Sequence, residues 1–185
     1  NQVVKLKGVS DNFIDQHRID NAIAEGELAL KSGQTPYAIV GRGVQYSLSI
    51  QIGDNFHPLQ IYYINNVKPG VVDISKIYSH QNIIVGAAFS IVQSFDENYV
   101  IVPLEFARDV MQYGNKRTSL EIKVADNVNP ASVQSNLQAA LGKNFSVLSF
   151  VKSENQTDEQ SNIISEQLKY LNITEAKVMV ENGTI

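Results

Sequence analysis

The chain has 185 residues, of which 43% are hydrophobic and 18% are charged, and its net charge is −4. A chain of this length buries roughly 70% of its unfolded surface, so it can fold as one domain or two small lobes without a stabilising cofactor. The absence of cysteine excludes disulfides and thiolate metal sites, and the lack of a basic cluster disfavours nucleic-acid binding. The longest apolar run, Ile83–Val92, is half as long as the ~20 residues that a membrane helix requires.

The first two thirds of the chain are typical of a β-rich structure. β-Branched and aromatic runs predict strands at Val3–Leu6, Leu59–Ile64, Ile83–Ser90 and Tyr99–Val102. Between the first two of these, the segment Ile39–Asp54 predicts a short helical turn that feeds a strand, and its glycines permit close approach of another backbone. Asn21–Leu30 fits either a short helix or a loop.

Two helices are predicted in the following third, each opened by proline and ended by glycine. The first runs from Leu104 to about Tyr113, and the second starts at Pro130 with Asn129 as its cap. The alternation in Thr118–Val124 predicts a strand before the second helix, and Phe145–Phe150 would close a β-α-β unit. A polar linker leads to an amphipathic segment and a last strand, Ala176–Val180.

The sequence predicts no catalytic, cofactor-binding or metal-binding residue. A group of polar side chains within ten residues, Asp11, Asp15, His17 and Asp20, suits a solvated face better than a metal site, because no EF-hand or His-Glu-X-X-His pattern is present. The three histidines, His17, His57 and His80, are far apart in sequence, and no Gly-X-Ser-X-Gly turn accompanies them, which disfavours a hydrolytic triad.

Other side chains invite functional interpretations that the pattern does not favour. Gly41-Arg42-Gly43 lacks the ending of a phosphate-binding loop, and we expect Arg42 to pair with a carboxylate at a subdomain contact. Asp96 and Glu97 are adjacent and would point to opposite faces of a strand, so they predict a turn before Tyr99–Val102. For three tyrosines, Tyr46, Tyr62 and Tyr63, core and edge packing is favoured over a ligand surface.

Several segments together resemble a known family. KGVS (7–10), AIVGRGVQYSLSIQIGD (38–54), IIVGAAFSI (83–91), FDENYVIVPLEFARDVM (95–111) and TSLEIKV (118–124) resemble, in order and spacing, the extracytoplasmic domain of ABC-transporter permeases of the MacB, Lol and FtsX-like type. The likeness covers roughly residues 3 to 150. In that family ATP is bound on the cytoplasmic side, so a nucleotide site is not expected here.

The resemblance implies an α+β fold with two lobes. One is a split β-α-β lobe, ferredoxin-like and porter-type, close to the membrane, and the other is a β-rich, Sabre-like lobe beyond it. Residues 9–114 would form the β-rich distal lobe, and residues 115–185 plus 1–8 the membrane-proximal lobe. Because the family has a helix and a strand before its KGV segment, we hypothesise that residues 163–185 precede residue 1 in the native order, with Ile185 close to Asn1.

The function implied is mechanical. ATP hydrolysis on the cytoplasmic side would move the permease, and this domain, in the periplasm at the bacterial inner membrane, would help to release a lipoprotein or expel an amphiphile or peptide, without chemistry of its own. The implied partners are the ATP-binding subunit, reached through the membrane part, a second permease subunit in a dimer, and a periplasmic chaperone or adaptor protein. The alternative is a free-standing periplasmic ligand- or protein-binding module, and an enzyme ranks third. Since no signal-peptide pattern follows Asn1, we expect a mature or excised fragment.

Overall fold

The computed structural model describes residues 1–65, 77–125 and 127–148, together with the backbone of residues 177–182. These residues have a mixed α+β structure. Within them the strands and α-helices are, in chain order, β1 (Gln2–Val9), β2 (Ile23–Gly26), β3 (Lys31–Ser32), β4 (Thr35–Gly41), α1 (Arg42–Leu48), β5 (Leu59–Ile64), β6 (Tyr78–Phe89), α2 (Gln93–Asp96), β7 (Tyr99–Pro103), α3 (Leu104–Met111), α4 (Pro130–Leu141) and β8 (Lys177–Asn182).

The strands form one mixed sheet that closes on itself. Six strands follow one another in the order β4, β6, β5, β8, β1 and β7, and β7 then pairs with β4 to complete a ring. The pairs β1–β7 and β4–β6 are parallel, and the others in the ring are antiparallel. The short strands β2 and β3 are added to β6 and β4. A closed sheet satisfies the backbone groups that an open edge would leave unpaired.

The inside of this ring is the hydrophobic core. It is filled by small and branched side chains that alternate along the strands, because successive residues of a strand point to opposite faces. The core side chains on the strands are Val4, Leu6, Ala38, Val40, Leu59, Ile61, Ile83, Val85, Ala88, Val100 and Val102. Three side chains of α3, Phe106, Ala107 and Val110, are buried in the same core. A Cβ atom on Gly8 would lie 2.5 Å from the Cβ atom of Ala107, so glycine lets β1 and α3 pack closely.

Most of the predicted strands and both predicted helices are confirmed. β5 has the predicted bounds, and α4 begins at Pro130 after Asn129, whose Oδ1 accepts the N–H of Ala131 at 2.9 Å. The strand expected after α1 is wrong. The helix ends at Ser49 in the left-handed conformation, and the N–H of Ile50 then donates to the Gln45 carbonyl oxygen, so the chain turns back into a loop.

Two other regions differ from the prediction. Residues 32–36, rich in Ser, Gly and Pro, predict a turn, but β4 begins at Thr35. Proline is tolerated near a strand end, and Pro36 pairs with Lys31. The prediction for Asn21–Leu30, left open between helix and loop, gave neither β2, which lies within this segment, nor β3, which directly follows it. For Val71–Ile74 the sequence predicts a weak strand, and this segment lies outside the described residues.

Two compact units make up the chain: Asn1–Arg117 with Asn172–Ile185, called here the larger unit, and Thr118–Leu171, the smaller unit. The larger unit contains the closed sheet. β1 and β8 belong to it because they pair with each other and with β7 and β5, whereas the sequence grouped residues 1–8 and 163–185 with residues 115–150. Val180 lies opposite Gln2, so the described end of β8 is beside the start of β1, an arrangement that either chain order allows.

In the described part of the smaller unit, α4 is the regular element, and the predicted strand Thr118–Val124 is wrong. Leu120 is 84% exposed and Ile122 is 51% exposed, so the apolar side of the alternating pattern is not packed against a core. Such a pattern forms a strand only where a neighbouring strand accepts its backbone hydrogen bonds. Residues 145–148, the described part of the predicted strand Phe145–Phe150, are not a strand either. Glutamine side chains of α4 bond to their backbone instead.

Candidate interaction surface

Gly41 and Gly43, which flank Arg42, serve packing. A Cβ atom on Gly41 would lie 2.2 Å from the carbonyl oxygen of Asp96, and one on Gly43 would lie 2.7 Å from Cγ of Glu97. The start of α1 is therefore in close contact with the end of α2, which confirms the close backbone approach expected of these glycines.

Arg42 itself bonds to an aromatic side chain. Its Nε donates to the hydroxyl of Tyr46 at 2.8 Å, and its guanidinium carbon lies 5.3 Å from the centre of that ring. The four-residue spacing places the two side chains one above the other on α1. No carboxylate of the described residues pairs with Arg42, so the structure does not bring together the ion pair that the sequence suggested.

Asp96 has a structural role in the turn before β7. Its Oδ1 accepts the N–H of Ile91 at 2.8 Å, and its Oδ2 accepts the hydroxyl of Ser90 at 2.9 Å. The carboxylate thus fixes the connection from β6 to α2. This confirms the turn that the sequence predicted before β7.

The histidines lie in three different settings. His17 Nδ1 lies 2.5 Å from Oδ2 of Asp20. Asp11, from the same polar group, pairs instead with Lys31 at 3.2 Å, and their hydrogen bond raises the pKa of the Lys31 amine. Across the described ranges, no three His, Asp or Glu side chains are grouped so that they could hold a metal ion.

The loop before β5 carries the second histidine in an ordered turn. Asp54 Oδ1 accepts the N–H of Phe56 at 2.7 Å, and its Oδ2 lies 2.7 Å from Nδ1 of His57. The bond to His57, followed by that to the Phe56 backbone, lowers the pKa of the Asp54 carboxyl. Phe56 is held in this turn with 76% of its surface exposed.

The third histidine belongs to an aromatic surface on the outside of the closed sheet. On β5, the side chains of Leu59, Ile61 and Tyr63 point inward, so Gln60, Tyr62 and Ile64 point outward. Their partners on β6 are Asn82, His80 and Tyr78 respectively, and residues directly opposite each other share a face. We call these six outward side chains the β5–β6 face.

The rings of the β5–β6 face contact one another. Tyr62 and His80 are stacked, with ring centres 5.4 Å apart and 17° between their planes. Tyr78 is inclined at 56° to Tyr62 and at 52° to His80, with centres 5.9 and 6.4 Å away. Tyr78 is 41% exposed and Ile64 is 67% exposed, so the cluster remains open to solvent.

The face has no charge of its own. The six residues of β5 and the twelve of β6 include no Asp, Glu, Lys or Arg. Beyond it, the backbone register places Met179 opposite both Tyr62 and Val3, and Glu181 opposite Gln60. Val3 is 59% exposed. Exposed aromatic side chains on strands that lack Asp, Glu, Lys and Arg are typical of the centre of a binding surface.

Sequence reasoning found half of this arrangement. Tyr63 packs against the core, as predicted, and burial, followed by the interaction with Tyr113, raises its pKa. Tyr62 belongs to the outer surface instead. The alternation of side chains along β5 places Tyr62 on the face opposite to Tyr63. Its partners on β6 can be identified only once the register of the two strands is known.

Comparison with known proteins adds no assignment: no family model matches the chain, and no match was found among the curated proteins. Among the described residues, no helix combines the length and the apolar character needed to cross a membrane.

Proposed function

We propose that this chain is the extracytoplasmic domain of an ABC-transporter permease of the MacB, Lol and FtsX-like type. The observation that supports the proposal is that the segments carrying the resemblance pack on one another through their glycines. Gly8 of KGVS lies against Ala107, and Gly41 and Gly43 lie against Asp96 and Glu97. Segments far apart in sequence thus form one frame, which is what a shared fold requires of a family pattern.

The frame also suits a mechanical role. Polar side chains such as those of Asp54 and Asp96 order its turns, and the ring of strands joins the start of the chain to α3 through β1 and β7. Such a body can transmit a movement without reacting with a substrate. In this proposal the closed sheet is the β-rich, Sabre-like lobe, and α4 belongs to the porter-type lobe.

The remaining parts of the proposal come with the family. The domain lies in the periplasm at the bacterial inner membrane, where it is coupled through the membrane part to an ATP-binding subunit and pairs with a second permease subunit. A periplasmic chaperone or adaptor protein receives or delivers the substrate, a lipoprotein or an amphiphile. The domain uses no cofactor and is not an enzyme.

One observation favours a second candidate, a free-standing periplasmic binding module. The β5–β6 face is aromatic, exposed and uncharged within its two strands, and a binding module needs such a surface whether or not it is joined to a membrane part. This candidate keeps the fold and the surface and drops the coupling to ATP hydrolysis.

The two candidates differ in what surrounds the domain in the native gene. The test is to sequence that gene on both sides of this segment and to scan its translation for apolar stretches of about 20 residues. One such stretch upstream and about three downstream are expected for the permease. A signal peptide directly upstream with a stop codon directly downstream would overturn the permease and favour the binding module.

A biochemical test follows in the full-length protein, reconstituted with its ATP-binding subunit. A disulfide that locks the domains of two permease subunits together should slow ATP hydrolysis, and reduction should restore it. Because this segment has no cysteine, introduced cysteines have no native thiol partner within the domain. ATP hydrolysis that is indifferent to every lock would contradict a mechanical role.

A further inference from the structure

We propose that the β5–β6 face binds an uncharged oligosaccharide. The inference goes beyond the proposed function and does not depend on it, because it rests on the chemistry of the six outward side chains alone. Sugar rings present two kinds of surface, flat faces of C–H groups and edges of hydroxyl groups. The face offers a partner for each.

The aromatic rings match the C–H faces. An aromatic face carries negative partial charge and attracts the weakly positive hydrogens of a pyranose ring. Neighbouring ring centres of Tyr62, Tyr78 and His80 are 5.4 to 6.4 Å apart, close to the length of one sugar unit. Since all three distances fall in this range, the rings form a compact triangle, and Tyr78, which is inclined to the stacked pair and 41% exposed, is the ring against which a sugar unit can lie.

The polar side chains match the hydroxyl groups. Tyr62 donates its hydroxyl to Oε1 of Gln60 at 2.9 Å, a bond that does not engage the amide nitrogen of Gln60. Asn82 lies directly opposite on β6 and is exposed. Two amides at one end of a ring cluster provide donors and acceptors for neutral hydroxyls, the few placed polar groups that small-molecule sites use.

Charge and size select a neutral oligosaccharide over other ligands. A phosphate-bearing or strongly acidic ligand would find no Lys or Arg among the side chains of β5 and β6, Glu181 lies opposite Gln60 on β8, and the whole chain carries a net charge of −4. A stable protein partner requires about 20–30 residues a side, several times the six side chains of this face. Two or three sugar rings need no more than the face provides.

The face is also held in place before any ligand arrives. β5 pairs with β6 over six residues and with β8 over five, so the side chains stand on a rigid part of the closed sheet. A preformed surface loses little conformational freedom on binding. This compensates for the small number of contacts.

The experiment is a titration of the isotope-labelled chain, followed by NMR, with three neutral probes: cellohexaose, chitohexaose and maltohexaose. At least one is expected to shift the resonances of Tyr62, Tyr78 and His80, with a Kd on the order of 1 mM or tighter and equal in low and high salt. Tyr78→Ala is expected to weaken binding at least tenfold, and Tyr78→Phe to preserve it within about threefold, because the ring and not the hydroxyl makes the contact.

Phe56→Ala is the matched control, since Phe56 is an exposed aromatic residue outside the face, and it should leave binding unchanged. The spectrum of each variant shows whether it folds. The proposal is overturned if none of the probes shifts these resonances, if binding follows Phe56 instead of Tyr78, or if high salt abolishes it. It is equally overturned if a protein partner needs Tyr78 while all three saccharides leave the face unaffected.

Discussion

Gly41 is a residue whose lack of a side chain decides how two helices meet. The spacing of Gly41 and Gly43 indicated a close approach, but the sequence could not name the partner, because α2 lies about fifty residues further along the chain. The fixed atom at the contact is the carbonyl oxygen of Asp96, whose side chain is held by Ser90 and Ile91. The Asp96 backbone therefore cannot move away easily to make room for a side chain at position 41.

We therefore predict that Gly41→Ala lowers the free energy of unfolding by about 1–3 kcal/mol, because the added methyl group overpacks a rigid contact. Urea denaturation followed by circular dichroism measures the change. Gly86→Ala is the control: a Cβ there would lie 3.2 Å from Cβ of Tyr37, a contact that is relieved by a much smaller displacement than the one at Gly41, and we expect a loss of about 1 kcal/mol or less. Equal losses in the two variants would contradict the role assigned to the α1–α2 contact.

The stability of the fold depends on pH through Asp54, which lies in the loop before β5. Its pKa is lowered in the folded state by the bonds to His57 and Phe56, so this carboxylate stabilises the fold above its ordinary pKa of about 3.9. The stabilisation is lost as the pH falls through the lowered folded value. We expect Asp54→Asn to be less stable than the natural chain at pH 6 and the difference to vanish in strong acid.

The measurement is urea denaturation over a pH series, with a carboxyl NMR titration of the natural chain. His57→Gln serves as the control variant, because it removes the largest cause of the shift and should return the pKa of Asp54 toward its ordinary value. An Asp54 carboxyl that titrates at the same pH with and without His57 would show that the imidazole does not hold it.

Elements with local signals were predictable, and elements that depend on distant partners were not. α4 has its cap, its proline and its terminal glycine within fifteen residues, so its bounds followed from sequence. Thr118–Val124 has the alternation of a strand, but a strand needs a neighbour, and β8 pairs with β1 and β5. The same reasoning applies to the β5–β6 face: the alternation of side chains along β5 could be predicted from the sequence, and its register with β6 could not.

Gln138 makes three hydrogen bonds to the chain after α4, in addition to the bond that Gln134 Nε2 donates to the Val147 carbonyl oxygen. Gln138 Nε2 donates to the carbonyl oxygens of Gly142 and Phe145, each at 2.9 Å, and its Oε1 accepts the N–H of Val147 at 3.1 Å. A typical hydrogen bond contributes about 0.5–1.5 kcal/mol. Replacing Gln138 by leucine preserves the helix, because leucine is also a good helix former, and removes these bonds.

We predict that Gln138→Leu speeds hydrogen exchange at the Val147 amide at least tenfold while exchange within β5 and β6 is unchanged. The control is Asn136→Leu, a polar-to-leucine change on the exposed side of α4, which should leave Val147 protected. Unchanged exchange at Val147 in the Gln138 variant would mean that other groups hold residues 142–147.

For the whole molecule, the closing of the sheet was the feature least accessible to sequence analysis. Its strands were mostly recognised, but the ring requires β8 to lie between β5 and β1, a pairing across nearly the whole chain. Such pairings are costly in loop entropy and slow to form. They leave no local trace in composition or periodicity.

The order of the chain can therefore be tested by folding kinetics. If residues 163–185 are placed before Asn1, Val180 and Gln2, which are paired, become seven residues apart and β8 and β1 become consecutive antiparallel strands. We expect the rearranged chain to fold to the same structure and at least tenfold faster, because contact order falls. Stopped-flow refolding measures the rate, and a rearranged chain that fails to fold or folds more slowly would contradict the permuted order.

The parallel pairing of β1 with β7 has a consequence for resistance to force. Five residue pairs, from Lys5 and Tyr99 to Val9 and Pro103, join the two strands side by side in the same direction. A pull between the start of β1 and the end of α3, which follows β7 directly, loads all five pairs in shear, so that they must break together. A hairpin pulled at its open end would instead lose its bonds one after another, and the closed sheet thus withstands tension along the line that enters at β1 and leaves through α3.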